Sequence, residues 1–342
     1  MQLTVRPQNR VISLIPDRPI LEAALAAHMN LPHSCKGGNC GSCRAHLVSG
    51  QVSYPRGRTL GLSEAEYRAG EVLLCQAVAL TDVVVEAREI RRVSDVEIKA
   101  LPCRVERLER WAPDVMGVYL RLPAIEDFQF QAGQYLDVML PGHRRRSFSI
   151  ASPPHDAGLI ELHIRQVAGG EFTSAVFDTL TVGDLLRIEG PLGHFVYQPV
   201  DEVTAPLVLV AGGTGFSPIK SILRHVLESG VRRPIHVYWG AKRELDLYQS
   251  AWLMARVPHF ADLRVVTVLS EGVGEETQRH RAGWLQDAIL QDFPDLHDAH
   301  VYAAGPPQLI SALKEHLPRQ GLPLAQLYFD SFDYAPDEQS RT

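Results

Sequence analysis

Long hydrophobic runs are missing from this chain. No stretch of about eighteen apolar residues occurs, so no membrane-spanning helix is expected. The opening segment, MQLTVRPQNR, is polar and strand-like and lacks the basic-then-apolar pattern of an export signal, which makes the cytoplasm the expected compartment. A basic excess is missing too. Lys and Arg number 34 against 40 Asp and Glu, a formal net charge of −6. The arginine runs at Arg91-Arg92 and Arg144–Arg146 are short, so nucleic acid is not an expected partner. Cysteine is scarce: five in 342 residues, an odd number that suits a metal or redox role better than a disulfide framework. Nor does a Ser/His/Asp triad or a pair of carboxylates stand out, so substrate chemistry is expected on a partner.

What the chain does contain is unevenly placed. With 45% hydrophobic residues it can bury a sizeable core, divided over more than one domain. Three of the cysteines crowd into HSCKGGNCGSCRA with the spacing C-x4-C-x2-C (Cys35, Cys40, Cys43), and a fourth, Cys75, lies in the apolar run EVLLCQAVAL. This is the plant-type arrangement in which four soft thiolates hold a 2Fe-2S cluster. A loop that wraps a cluster turns its amides towards the sulfurs, through left-handed conformations that Gly37, Gly38 and Gly41 can adopt. Structural zinc would show two short-spaced knuckles where only one occurs. A Rieske centre needs histidines two residues after its cysteines; His33 and His46 lack that spacing and are expected at the surface. Cys103, alone in an alternating strand, reads as a small buried residue.

Around the cysteines, LTVRPQNRVISL reads as a hairpin, ILEAALAAHM as a short amphipathic helix, and DVVVEA as a strand closing the sheet. This first domain spans 1–92, and RRVSDVEIKALP is a polar linker. From about 100 to 200 the texture is short alternating strands: CRVERLERW, VMGVYLRLP, QYLDVML, SFSIAS, LIELHIRQV, DLLRIEG and HFVYQ, with one helix around TSAVFDTL. Such spacing predicts an antiparallel β-barrel. From 204 to 334 strands and helices alternate, the mark of an α/β domain with a parallel sheet.

Two further constellations carry chemistry. In LVLVAGGTGFSPIKSILRHVLESG an apolar strand runs into Gly212-Gly213-Thr214-Gly215. Ser217 then suits an N-cap, Pro218 the first turn, and Ile219, Ile222, Leu223, Val226 and Leu227 form one apolar stripe ending at Gly230. A glycine turn before a helix N-terminus is where a pyrophosphate binds, although the loop does not match G-x-G-x-x-G. Arg146-Ser147-Phe148-Ser149 offers a cation for phosphate, an aromatic face and hydroxyls along an extended segment; the alternative is a strand with an exposed arginine.

Taken in order with Gly169-Gly170-Glu171-Phe172-Thr173, Gly190-Pro191-Leu192-Gly193-His194-Phe195 and Ala304-Gly305-Pro306-Pro307, these motifs resemble the ferredoxin-NAD(P)H reductase superfamily over essentially the whole chain, in the branch with an N-terminal ferredoxin domain. The resemblance implies a β-grasp ferredoxin (α+β), a central β-barrel for FAD and a C-terminal domain for NAD(P)H. It also implies that Arg146 pairs with the flavin pyrophosphate, with Ser147 beside it, that Phe148 lies against the isoalloxazine, and that Ser149 hydrogen-bonds near its N5. Gly169, Gly170 and Thr173 would form the second flavin phosphate turn and Ile164-Arg165 the strand beside the ribityl chain. Gly212, Gly213, Thr214, Gly215 and Ser217 would take the nicotinamide cofactor's phosphates, with Gly305 and Pro306 opposite. In Asp330-Ser331-Phe332, the aromatic would cover the other flavin face, so Ser149 and Phe332 would touch the reacting rings. Relatives usually carry Cys where this chain has Ala304, which would weaken nicotinamide positioning without abolishing hydride transfer.

The implied activity is electron transfer from NAD(P)H through FAD to the 2Fe-2S cluster, and from there to a separate acceptor, either a sugar dehydratase or an oxygenase component. An iron-sulfur redox sensor is the alternative from another class. A monomer is expected. After VYWGA, Lys242 and Arg243 suit a 2′-phosphate while Glu244 and Asp246 suit a free 2′-hydroxyl; NADH is favoured over NADPH.

Overall fold

A computed structural model describes residues 1–7, 9–27, 29, 31, 33, 37–38, 41, 43–58, 61–87, 97–124, 128–156, 158–198, 204–271 and 279–332. The chain divides into two compact units, Met1–Asp95 and Val96–Thr342.

The first unit runs β1 (Gln2–Arg6), β2 (Arg10–Ser13), α1 (Ile20–Ala26), β3 (Arg44–Ser49), β4 (Val52–Ser53), α2 (Glu64–Arg68), β5 (Glu71–Leu73), β6 (Val78–Ala79) and β7 (Val83–Glu86). Its main sheet has the order β2-β1-β7-β3-β5, with β4 and β6 as a separate pair. β1 and β2 form the expected hairpin. The DVVVEA strand, β7, completes the sheet between β1 and β3, parallel to the first and antiparallel to the second. Its alternating Val83 and Val85 reach the same core as Leu3, Val5 and the Ile20, Leu21 and Ala24 face of α1. At α2, Ser63 Oγ accepts the Glu66 amide at 3.3 Å while Glu66 Oε2 accepts the Ser63 amide at 2.8 Å, a reciprocal cap that fixes where this short helix starts.

In the second unit, β8 (Lys99–Ala112), β9 (Val115–Arg121), β10 (Tyr135–Met139), β11 (Arg145–Ser149), β12 (Leu159–Arg165), α3 (Glu171–Asp178) and β13 (Leu185–Leu192) come first. The six strands form one antiparallel sheet in the order β11-β10-β13-β8-β9-β12. Its two edge strands meet at a single bridge, Ile150 with Leu162. HFVYQ is not a seventh strand. The Tyr197 amide goes to Ala132 O and the Gln198 amide to Tyr302 Oη, so no ladder forms, and Phe195 packs among residues of the following sheet.

There follow β14 (Leu207–Gly212), α4 (Phe216–Glu228), β15 (Ile235–Ala241), α5 (Ser250–Met254), β16 (Leu263–Leu269), β17 (Arg281–Ala282), α6 (Leu285–Asp292), β18 (His300–Gly305), α7 (Pro307–His316) and β19 (Leu327–Ser331). Every pairing is parallel, in the order β17-β16-β15-β14-β18-β19. β14 is apolar without alternation because both of its faces are covered. The strand order reverses between β14 and β18, and such a reversal opens a crevice at the carboxyl ends of the strands, here at Gly212 and Gly305.

Candidate functional site

Two of the four cysteines read as ligands lie within the described residues. Cys43 and Cys75 are both buried, and their Sγ atoms are 3.0 Å apart and unlinked. The fold holds them together: the Leu74 amide donates to Cys43 O, and the Leu21 amide at the start of α1 donates to Leu74 O. Gly38 and Gly41 have φ of 87° and 75°, a conformation that costs a glycine little. Arg44 braces the loop, bonding Gly61 O at 3.0 Å and pairing with Glu66. Two soft, buried, converging sulfurs fit an iron-sulfur group. Cys35 and Cys40 lie outside the described residues. His33 is 2% exposed, contrary to its expected surface position, because its Nδ1 donates to Leu31 O at 2.7 Å and turns the ring inward. His46 is exposed as expected. Cys103 is buried, and burial pushes its thiol pKa up to about 12, leaving no thiolate to bind or react.

On β11, the period of two puts Arg146 and Phe148 on one face and Ser147 on the other. Ser147 Oγ donates to the buried Asp137 at 2.5 Å, directly across the ladder, and that bond aligns the strand. Phe148 sits 5.6 Å from Phe172 at the start of α3. Before α3, Thr173 Oγ1 accepts the Val167 amide and donates to Gly170 O, both at 3.2 Å, so the turn is closed by its own hydroxyl. Nothing stands within 4 Å of where a Gly169 side chain would project, which leaves that backbone open to a ligand. Ile164 is fully buried in the sheet core and can offer a ligand only its backbone. Its neighbour Arg165 points the opposite way, bonds Asp114 at 2.9 Å, and brings Nη2 to 4.0 Å from the Cβ position of Gly213.

The crevice at Gly212 and Gly305 is a place where backbone meets backbone. A Cβ on Gly215 would lie 2.0 Å from Ala304 O, and one on Gly305 would lie 3.0 Å from Gly212 Cα. Trp239 Nε1 donates to Gly213 O at 3.0 Å, and its ring stacks on Phe216 at 4.0 Å, fixing the loop from below. Ser217 is not the N-cap: α4 begins at Phe216 after a short 3-10 turn over Gly213–Gly215, and Ser217 Oγ donates instead to Ser149 O at 2.8 Å. The carbonyl of Gly305 accepts the Phe332 amide at 2.8 Å, so Phe332 stands at the mouth of the crevice, beside exposed Pro306. Ala304 is fully buried in the core. The structure thus brings Ser149, Gly212–Ser217, Arg165, Gly305 and Phe332 together at one junction between the two sheets.

A second feature of that junction escaped the sequence reading. Glu161, His163 and Arg165 alternate along β12 and face away from their own core. Glu161 Oε1 accepts from Lys220 Nζ at 2.6 Å and from His163 Nε2 at 3.0 Å; Lys220 also donates to Gln249 at 2.7 Å, and Tyr248 Oη lies 2.8 Å from His163 Nδ1. Burial alone would raise the Glu161 carboxyl, but His163 and Lys220 outweigh it and hold its pKa at about 2. Burial holds both His163 and Lys220 below their ordinary values, and Glu161 opposes both shifts. The available signal was a lysine on the apolar face of α4 (FSPIKSIL) and a Glu-x-His alternation inside LIELHIR.

Known protein families match each part in turn. Residues 3–80 match the 2Fe-2S iron-sulfur cluster binding domain, 102–197 the oxidoreductase FAD-binding domain, and 209–315 the oxidoreductase NAD-binding domain. The chain is 33% identical over 332 residues to the CDP-6-deoxy-L-threo-D-glycero-4-hexulose-3-dehydrase reductase of Yersinia pestis, covering 97% of this chain and 98% of that protein. The chain belongs to the ferredoxin-NAD(P)H reductase superfamily. This reductase is also 33% identical over 335 residues to reductase component 1 of the terephthalate 1,2-dioxygenase of a Comamonas species, covering 98% of each. Among solved structures, the Amycolatopsis cytochrome P450 reductase GcoB superposes with a TM-score of 0.81 at 30% identity, over 97% of this chain and 98% of that one. The reductase is therefore an NAD(P)H-dependent flavin and iron-sulfur oxidoreductase that uses FAD, a 2Fe-2S cluster and a nicotinamide nucleotide. Among its described residues no helix is long and apolar enough to cross a membrane.

Proposed function

We propose that this reductase carries electrons from NADH to a separate, soluble acceptor protein in the cytoplasm, acting as a monomer. One observation supports the path above the others: Ser149, read as the flavin-contacting hydroxyl, is tied through its own carbonyl to Ser217 in the first turn of the nucleotide-loop helix. FAD held there would supply acceptance of one hydride, two electrons together, and a 2Fe-2S cluster their release one at a time, so the residues that hold the two groups would make the chain a two-to-one electron converter. Arg146 and the open turn at Gly169, Gly170 and Thr173 would hold the flavin phosphates, Ser147 aligns the strand, and Phe148 and Phe332 flank the ring. Gly212, Gly213, Thr214, Gly215 and Ser217 would receive the nicotinamide cofactor's phosphates between Arg165 and the backbone of Gly305 and Pro306. Cys35, Cys40, Cys43 and Cys75 would hold the cluster.

NADH is favoured by the groups after β15. Asp246 is buried and accepts the Arg243 amide at 3.1 Å, Lys242 pairs with Glu271 at 3.0 Å, and Glu244 stays exposed with Oε1 3.3 Å from His280 Nε2. Carboxylates outnumber cations there, and a 2′-phosphate would be repelled. For the acceptor we favour a dehydratase of the kind served by CDP-6-deoxy-3,4-glucoseen reductase. An oxygenase component is the second reading, since a dehydrase reductase and a dioxygenase reductase share the same 33% identity with this chain over nearly its full length.

Anaerobic titration of the purified protein with NADH and then NADPH, followed by absorbance and low-temperature EPR, tests the carrier order. Flavin bleaching with a rhombic signal from reduced 2Fe-2S, at lower concentration for NADH, is expected. Silence of both centres would bring the sensor reading forward.

A further inference from the structure

The helix that starts at the nucleotide loop is held against the flavin sheet by polar groups rather than by apolar packing alone. Ser217, Lys220 and Ser221 stand at i, i+3 and i+4 of α4 and share one face. Ser217 Oγ donates to Ser149 O at 2.8 Å, Ser221 Oγ to Ser152 O at 2.7 Å, and Lys220 Nζ to Glu161 on β12 at 2.6 Å. Ser152 in turn accepts the Glu161 amide through its own Oγ at 3.2 Å, closing a loop of bonds between β12, the segment after β11, and α4. Lys220 and Glu161 are 3% and 5% exposed, and Lys220 Nζ also lies 4.4 Å from the Trp252 ring centre.

Beside the pair, a polar cavity of about 370 Å³ opens between the two sheets, bordered by Arg107, Arg224, Arg256 and Trp252. Ile219, Ile222, Leu223 and Val226 pack α4 into the parallel-sheet core; close packing does not fill the side that faces the flavin sheet, and there directional bonds complete the helix's orientation. A buried ion pair with its remaining donors and acceptors satisfied is poor at adding net stability and good at selecting one arrangement. One turn of helix separates this pair from Ser217 and the glycine loop.

We propose that Lys220 and Glu161 are positioning residues for hydride transfer: their buried pair sets the rotation of the nucleotide-loop helix against the flavin sheet. The proposal rests on the assignment of Ser149 to the flavin and of Gly212–Ser217 to the nicotinamide cofactor. Misplacement by about an ångström can cost about a hundredfold in rate while leaving binding almost intact, because ring alignment depends on geometry more than affinity does.

The test uses the full-length holoprotein carrying Lys220→Met. Flavin occupancy is expected to be unchanged and the NADH dissociation constant to stay within about threefold, while the limiting rate of anaerobic flavin bleaching falls about tenfold or more. Two readouts apart from rate should move with it: the long-wavelength charge-transfer absorbance of the NAD-bound reduced protein weakens, and hydrogen exchange at the amides of 217–223 speeds up. A limiting rate within about twofold of the parent, or unchanged exchange and charge-transfer absorbance, overturns the proposal. Should the methionine variant fail to fold, the double variant Lys220→Gln with Glu161→Gln removes both buried charges at once and is read the same way. If the parent protein itself fails to bleach with NADH, the site assignment has failed; a responsive parent with an equally fast variant sinks only the positioning role.

Discussion

Gly215 shows what a single residue decides in this molecule. Its φ is unremarkable for a helix start, so the reason for glycine is space: a methyl group there would lie 2.0 Å from Ala304 O, a backbone atom that cannot swing aside. Gly215→Ala must therefore push β18 away from the loop, and overpacking of this kind costs about 1–3 kcal/mol or more. The variant should lose NADH-driven flavin bleaching and lower the melting temperature of the flavin and nucleotide unit, while the cluster's visible absorbance persists; unchanged NADH response would show that the cleft does not need this contact. The sequence placed this glycine in a phosphate turn but gave no hint of the carbonyl against it, because that contact joins residues nearly ninety positions apart (Gly215 and Ala304). Cys103 was legible for the opposite reason, since strand alternation alone puts it inside.

At the scale of elements, β12 and α4 behave as one assembly, and the pH dependence of that assembly can be worked out. The Glu161 carboxyl sits at about 2 in the folded chain, below the ordinary Glu value of about 4.3 in the unfolded one. The folded state therefore binds its proton more weakly, so the pair's stabilisation is fully present above about pH 4.3 and is lost as pH falls towards 2. This pH-dependent part, ionised against protonated Glu161, is of the order of 3 kcal/mol and is separate from the small net worth of the pair. Urea midpoints measured from neutral pH down to about pH 3 should fall more steeply for the parent than for Glu161→Gln; parallel profiles would mean that the carboxylate is not paired as described. Periodicity made most elements readable: the β1–β2 hairpin, α1, α3, the apolar β14 and the stripe on α4 all follow from spacing of two or 3.6 residues. It failed where tertiary partners decide. HFVYQ alternates like a strand, yet its amides are used singly by Ala132 and Tyr302, and Ser217 has the chemistry of an N-cap but finds Ser149 O across the junction. His33 went inward on one local carbonyl. Spacing alone does not single out Glu161 or Lys220, because only the packing of the two sheets brings them together as a pair.

For the whole molecule, the distribution of cores predicts how it comes apart. The residues that pack around Leu3, Val5 and Leu73 all lie between 3 and 87, so the N-terminal unit owns its core. The two sheets of the second unit do not separate in this way: Ala132 and Phe195 from the antiparallel part cluster with Leu207, Phe216, Ile222 and Trp239 of the parallel part, and the Lys220–Glu161 pair and the Ser217 and Ser221 bonds cross the same seam. Independent cores unfold independently, whereas a shared core imposes one transition. Calorimetry of the holoprotein should show two transitions, one coinciding with loss of the cluster's visible absorbance and one with release of flavin, with no third step for the nucleotide-binding part. Cys40→Ser should shift or abolish only the first. The same variant should lose cytochrome c reduction yet keep NADH-to-ferricyanide activity, because the flavin and nucleotide sites share one unit that does not contain the cysteine loop. A single cooperative transition, or loss of both activities together, would mean that the cluster-bearing unit is required to hold the other in its working form.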